Sequence, residues 1–226
     1  MLYFMHIPKT AGMFIRNIIQ DSLPNTLVID DYAQVAFLSD SQLNSFDAIV
    51  GHVGNALLRR ILEPKTIIFL RNPVDRLLSM YCYWRFTLTD DYTKFYSQIP
   101  FLDWLESGIH EVEMERDGGM IWQLAVDRSS IIRSEHHATP FSEIIDQAYK
   151  TLEDSSFIGF QETIVEDTAK LCSKFNLHLP KSENRVNESR RKIVLTPKER
   201  KKAEAILEND MKLFGYAKNL KMRQGA

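Results

Sequence analysis

The sequence predicts an α/β fold in which helices cover both faces of a central, mostly parallel sheet. Three observations predict it. Five short apolar runs bounded by turn residues are typical of buried strands. Amphipathic segments separate these runs, and alternation of strand and helix favours parallel pairing. The 226 residues, 44% of them hydrophobic and 26% charged, suit one large domain with its own core.

The predicted strands are apolar runs without internal proline, as strands buried on both faces require. They are LYFMHI at residues 2–7, TLVID at 26–30, DAIVG at 47–51, TIIFL at 66–70 and SFIGF at 156–160. Ligands of parallel α/β sheets bind beyond the carboxyl ends of the strands. The residues that follow each strand are therefore the place to look for a site.

The predicted helices carry apolar residues at intervals of three and four. They cover residues 12–23, 73–86, 141–152, 162–175 and 197–214. Pro73 suits the first turn of the second helix, where its missing N–H costs no hydrogen bond. Thr196, Pro197 and Glu199 form a capping box that predicts the start of the last helix.

Composition and charge exclude several classes of function. The formal net charge of −2 gives no general attraction to nucleic acid or to an anionic membrane. No run reaches the ~20 apolar residues of a membrane span, and the N-terminus lacks the pattern of a secretory signal. Cys82 and Cys172 lie in apolar helical patterns and are expected to be buried free thiols. We therefore expect a soluble, cytoplasmic protein with no nucleic-acid partner and no membrane span.

The segment PKTAG, residues 8–12, joins the first predicted strand to the first predicted helix. A tight loop at a helix N-terminus favours a phosphate group, because backbone N–H groups and the helix dipole point at it. Lys9 adds a positive charge and Thr10 a hydroxyl group. The lysine precedes the glycine, unlike the order in the magnesium-nucleotide loop GxxxxGK[ST]. The loop therefore predicts a phosphate site without magnesium, with a purely structural turn as the alternative.

Two further strands are followed by candidate site residues. His52 lies between Gly51 and Gly54 and is a candidate base, because the unperturbed pKa of histidine is about 6.5. Arg71 leaves the fourth strand, where its fork of donors suits a second anionic group. Ser79 lies two turns into the next helix and reaches the site only if that helix runs alongside the ligand.

The segments HIPKTAG and LRNPVDRLLSMY, with GHV between them, resemble the signature segments of the PAPS-dependent carbohydrate sulfotransferases. The similarity is to the group related to heparan sulfate 2-O-sulfotransferase, and it covers most of the chain in order. It implies a P-loop-like, three-layer domain over residues 1–226. It also implies the donor 3′-phosphoadenosine 5′-phosphosulfate (PAPS), the product adenosine 3′,5′-bisphosphate (PAP) and an acceptor hydroxyl group, usually on a sugar.

The resemblance assigns the donor site by position. Arg71 and Ser79 would hold the 3′-phosphate, and the basic loop 181–195 would cover the cofactor through Ser189 or Arg190. The residues that would hold the 5′-phosphosulfate are Lys9, Thr10, Ala11, Gly12, Met13 and Phe14. The last two depart from the family pattern, in which Thr or Ser follows the glycine. Each lost charged-group hydrogen bond is worth about 1.5–3 kcal/mol, which predicts weaker donor binding.

The resemblance also implies an in-line transfer without a metal, in which positioning and charge stabilisation dominate. Lys9 would neutralise charge on the bridging oxygen, and His52 would take the acceptor proton. Two alternatives stay open: a nucleotide-binding module with impaired catalysis, and a small-molecule kinase. Residues 87–140 carry no recognised motif that identifies the acceptor. The acidic stretch EVEMERD at residues 111–117 argues against a highly sulfated acceptor along that face.

Overall fold

The structure, a computed structural model, describes residues 1–87, 95, 98–179 and 193–224. Its five strands form one parallel sheet in the order β2-β3-β1-β4-β5. They are β1 (Leu2–Met5), β2 (Thr26–Ile29), β3 (Ala48–Gly51), β4 (Lys65–Leu70) and β5 (Phe157–Phe160). Each of the five predicted strands is present, which confirms the predicted α/β class.

Strand β1 lies at the centre of the sheet, between β3 and β4. Phe4 is in register with Val50 on one side and with Ile67 on the other. The chain leaves β1 toward β2 at one edge, and it leaves β4 toward β5 at the other. A crevice forms outside the carboxyl ends of strands whose connections diverge in this way. The residues that follow β1 and β4 therefore line one crevice, and those that follow β3 lie beside it because β3 pairs with β1.

The described helices fill the predicted positions and add short ones. They are α1 (Gly12–Ser22), α2 (Ala33–Ala36), α3 (Asp40–Leu43), α4 (Pro73–Phe86), α5 (Phe101–Leu105), α6 (His110–Arg116), α7 (Gly119–Ala125), α8 (Ser130–Glu135), α9 (Phe141–Glu153), α10 (Ile164–Phe175), α11 (Pro197–Ile206) and α12 (Glu208–Gln224). Two 3₁₀ turns cover Asn55–Arg60 and Gln161–Thr163. The predicted start at Pro197 is confirmed by reciprocal capping bonds between Thr196 and Glu199.

The prediction of one helix over residues 197–214 is wrong, because the chain bends at Leu207 between α11 and α12. The bend lets the two helices cover different parts of the molecule. Both helices pack against α4; α11 also packs against α5, and α12 also packs against α7 and α9. Asp210, in the first turn of α12, faces inward and accepts the N–H groups of Met120 and Ile121, each at 3.3 Å.

Alternate residues of β1 face two separate cores, as the geometry of a strand requires. Tyr3 and Met5 pack with α7, α9 and α12, while Leu2 and Phe4 pack with α1 and α10. The sheet therefore has helices on both faces. Cys82 and Cys172 are buried free thiols, as predicted. No helix in the described part of the chain has the length and apolar character needed to cross a membrane.

Candidate active site

The loop between β1 and α1 has a strained backbone. Lys9 and Ala11 have φ angles of 69° and 67°, in the left-handed region that costs other residues than glycine about 1–2 kcal/mol each. Between them, Thr10 is fully buried, and its hydroxyl group donates to the carbonyl of Ile7 at 2.8 Å. The Thr10 side chain thus stabilises the loop from inside. Strain of this kind is found at ligand-binding loops.

The N-terminus of α1 is available to an anion. Ala11 occupies the cap position without a side-chain hydrogen bond, and the first turn carries no acidic residue. The N–H group of Phe14 donates to the Ala11 carbonyl at 3.1 Å, and the Phe14 ring packs against the core beneath α1. Free N–H groups and the positive end of the helix dipole remain at Gly12 and Met13. This helix end fits a phosphate group.

Gly12 is required because the ring of His6 lies directly against it. A Cβ atom at residue 12 would lie 1.8 Å from both Cδ2 and Nε2 of His6. The ring cannot easily move aside, because its centroid lies 5.5 Å from that of Phe4 and 4.2 Å from that of His52. Gly12 therefore allows the rings of His6 and His52 to pack against each other at the N-terminus of α1.

Replacement of Gly12 by Ala is expected to lower the free energy of unfolding by roughly 1–3 kcal/mol, because the new methyl group overlaps a buried ring. Urea denaturation measures this change. Gly215→Ala is the matched control, since position 215 of α12 has open space and Ala is the better helix former. The clash is the wrong explanation if Gly12→Ala costs the same in a His6→Ala background as in the parent protein.

His52 is held in one tautomer. Its Nδ1 atom lies 2.8 Å from the carbonyl oxygen of His6, which can only accept, so Nδ1 carries the proton. In the neutral ring Nε2 is then unprotonated. Burial lowers the pKa of His52 and the charge of Arg128 acts in the same direction, whereas the bond to His6 and the carboxylates of Asp30 and Glu115 oppose them. The net lowering of this pKa keeps the ring neutral, and able to accept a proton, at neutral pH.

Gln123 on α7 forms hydrogen bonds to the backbone of both His6 and His52. It is 1% exposed, and its side-chain amide donates to the carbonyl oxygens of His6 at 3.0 Å and His52 at 3.1 Å. Just beyond α7, the carboxylate of Asp127 accepts the N–H group of Gly54 at 2.7 Å. These contacts fix the backbone on each side of the candidate base.

Lys9 and Arg71 bring two positive charges together. Arg71 Nη1 donates to the carbonyl oxygen of Lys9 at 3.2 Å, while Arg71 Nε is buried with no hydrogen-bond partner among the described residues. Burial lowers the pKa of Lys9, and repulsion from Arg71 adds to that effect. An unpartnered buried N–H group is costly, and an anion in the crevice would satisfy it. The two neighbouring cations and the unpartnered Nε atom therefore suit an anionic ligand such as a phosphate group.

Helix α4 runs beside the loop. The Nζ atom of Lys9 lies 4.3 Å from the ring centroid of Tyr83, a cation–π contact. Ser79 is one turn before Tyr83, so both residues project from the same side of α4. This arrangement supports the prediction that Ser79 reaches the crevice. Ser189 and Arg190, with the rest of segment 180–192, lie outside the described residues.

Residues 1–217 match the family model described as the sulfotransferase family. The chain belongs to the sulfotransferase family. The predicted enzyme class is thereby confirmed, while the finer likeness to the heparan sulfate 2-O-sulfotransferase group stays a prediction. None of the curated proteins compared with this sulfotransferase matches it significantly in sequence.

The fold of this sulfotransferase is similar to that in the crystal structure of mouse sulfotransferase SULT7A1 complexed with PAP. The two chains are 13% identical, the match covers 98% of this chain and 88% of the other, and the TM-score is 0.50. At this identity the likeness supports the fold alone. No group of three or more His, Cys, Asp or Glu side chains in the described ranges is placed to hold a metal ion.

Sequence reasoning missed three positions of this sulfotransferase's crevice: His6, Gln123 and Arg128. His6 was part of a recognised motif but had no assigned contact. Gln123 contacts His6 across 117 positions of sequence, which no local pattern reveals. Arg128 binds the carboxylate of Glu115 in the stretch EVEMERD. Because Glu115 is buried and paired, that stretch is less acidic at the surface than its composition indicates.

Proposed function

We propose that the protein transfers a sulfuryl group from PAPS to a hydroxyl group of a carbohydrate or other small acceptor. One observation carries the proposal: a half-buried arginine with a buried, unpartnered Nε atom, an uncapped helix terminus and a histidine of fixed tautomer share one crevice. When bound, PAPS supplies the activated sulfuryl group and its phosphate leaving group. The family membership supports this choice of donor, and the structural neighbour SULT7A1 is a sulfotransferase in complex with PAP.

The donor is held by two groups of residues in this proposal. Lys9 and the first N–H groups of α1 bind the 5′-phosphosulfate, since both lie at the loop after β1. Arg71 and Ser79 bind the 3′-phosphate, since α4 runs beside that loop. Residues 1–226 act as one domain in this proposal.

His52 is the general base of the proposed reaction. Its unprotonated Nε2 takes the proton of the acceptor hydroxyl group, while Nδ1–H stays bound to the His6 carbonyl. A correctly placed base of this kind typically contributes ~10²–10⁴-fold to a rate. The positive charge of Lys9 stabilises the negative charge that develops on the donor side. In this proposal the reaction needs no metal, and the cytoplasmic location stays a prediction.

The transfer rate is expected to fall only when the pH drops below about 6.5, the ordinary value for histidine. His52 must be neutral to act, and its pKa in the folded protein is lowered by burial and by Arg128 against the opposing effects of Asp30 and Glu115. Rate measurements between about pH 4.5 and pH 8 locate the acid limb, which is the pH range in which the transfer rate falls on acidification. Circular dichroism at each pH controls for unfolding, and a limb above the ordinary value contradicts the assignment.

The function is tested by incubating the protein with radiolabelled PAPS and a panel of sugars and phenols, with and without a metal chelator. Label is expected to appear on at least one hydroxyl acceptor and to be unaffected by the chelator. A parallel reaction with γ-labelled ATP and magnesium tests the kinase alternative. Binding of PAP without transfer to any acceptor would favour the catalytically impaired module.

A further inference from the structure

Arg128 lies three residues after the end of α7, and its side chain binds Glu115. We propose that Arg128 binds the sulfuryl oxygens of PAPS in addition to Lys9. The inference rests on the proposed donor, and it assigns a second cation to the group that is transferred.

The backbone at Arg128 is fixed beside the loop that carries His52. The carbonyl of Val126 accepts the N–H group of Ala56 at 2.7 Å, and Asp127 accepts that of Gly54 at the same distance. The approach is so close that a Cβ atom at residue 54 would lie 2.7 Å from the Cα atom of Asp127. Arg128 therefore leaves the chain next to the candidate base.

The side chain of Arg128 is hydrogen-bonded through Nε and is otherwise partly exposed. Its Nε donates to Oε1 of Glu115 at 3.0 Å, and Arg76 Nη1 donates to Oε2 of the same carboxylate at 2.7 Å. Burial opposes ionisation of Glu115, but the charges of Arg76 and Arg128 hold its pKa at about 2. Glu115 is therefore ionised at neutral pH and stays paired with both arginines. The Arg128 side chain is 40% exposed, which leaves further N–H donors for an anion.

The charge of Arg128 acts on both histidines, because it lowers the pKa of His6 as well as that of His52. His6 lies against Gly12 of the donor loop, whereas His52 is the base for the acceptor. The two ring centroids are 4.2 Å apart, so a cation that acts on both rings lies beside this pair. In the proposed reaction the sulfuryl group passes beside the same pair, from the donor loop to an acceptor oxygen at His52.

Lys9 and Arg128 are held by different contacts around the crevice. Lys9 lies on the loop after β1 and contacts α4, whereas Asp127, next to Arg128, binds the loop that follows β3. The Arg128 guanidinium group is also joined through Glu115 to Arg76 of α4. A sulfuryl group in front of β1 would therefore meet two positive charges, which suits the negative charge on its oxygens.

The test compares the affinities of PAPS and PAP by calorimetry, because the two nucleotides differ only in the sulfuryl group. Arg128→Met is expected to weaken PAPS binding by roughly tenfold and to change PAP binding by less than about twofold. Arg128→Lys, which keeps the charge but loses the fork, is expected to fall between Met and the parent. Arg59→Met is the matched control, since Arg59 is exposed on the turn Asn55–Arg60.

Unchanged PAPS affinity in Arg128→Met overturns the inference and leaves the proposed function intact. An equal loss of affinity for PAPS and PAP also overturns it, because Arg128 then acts on the fold of the site through Glu115. Urea denaturation of both variants identifies any such structural effect. Failure of the parent protein to bind PAP overturns the proposed function itself, and this inference with it.

Discussion

Replacement of His52 by Ala is expected to lower the rate of sulfuryl transfer by ~10²–10⁴-fold while the affinity for PAP stays within about twofold. The variant lacks Nε2, which in the neutral ring is the unprotonated nitrogen because Nδ1 is bound to the His6 carbonyl. The donor contacts of Lys9 and Arg71 do not involve this ring. Transfer of radiolabel from PAPS measures the rate, and calorimetry with PAP measures the affinity.

His178→Ala is the control for this experiment, because His178 is exposed and lies outside the crevice. The variant of His52 should also lose the acid limb of the pH profile, since the group that titrates there is gone. Full transfer activity in His52→Ala would contradict its role as the base. Equal losses of transfer and PAP affinity would instead show that the ring, whose centroid lies 4.2 Å from that of His6, holds the donor loop in place.

Replacement of Arg71 by Met is expected to weaken PAP binding by ~10–150-fold, which corresponds to one charged-group hydrogen bond of about 1.5–3 kcal/mol. The buried Nε atom lacks a partner in the described part of the protein, and an anion would supply one. Calorimetry with PAP measures the loss. Arg71→Lys should recover only part of it, because an ammonium group does not provide two parallel donors.

Stability separates this binding role from a structural one. Met at position 71 removes a half-buried guanidinium group with a buried, unpartnered Nε atom, and it also removes the 3.2 Å bond to the Lys9 carbonyl. The two effects oppose each other, so the free energy of unfolding is expected to change by less than about 1 kcal/mol. A loss of several kcal/mol, with PAP affinity unchanged in the folded fraction, would show that Arg71 stabilises the fold instead.

The sheet was predictable because each strand is an apolar run with turn residues at both ends. The candidate residues His52 and Arg71 were predictable for a related reason: each follows a strand, and parallel strands bring their carboxyl ends to one edge. The loop motif, its glycine and the family resemblance placed Lys9 at the same edge. Local sequence order was sufficient for these positions.

Residues that act across the fold were not predictable. Asp210 faces inward and accepts the N–H groups of Met120 and Ile121 on α7, a contact that no local pattern near Leu207 indicates. Thr10 shows a second limit, because the loop motif does not reveal that its hydroxyl group turns inward to Ile7. The inward direction of Glu115, paired with Arg76, is also set by tertiary contacts. Sequence patterns give the faces of helices and strands, whereas these side chains lie on irregular loops or at helix ends.

The central claim is that the crevice at the ends of β1 and β4 binds a nucleotide with phosphate groups at both the 5′ and the 3′ position. Calorimetry of the parent protein with PAP and with adenosine 5′-monophosphate, in the presence of a metal chelator, tests it most directly. The account predicts saturable binding of PAP and at least about tenfold weaker binding of the monophosphate, which lacks the group for Arg71. Absence of PAP binding by the folded protein, or equal affinities for the two nucleotides, would contradict the account.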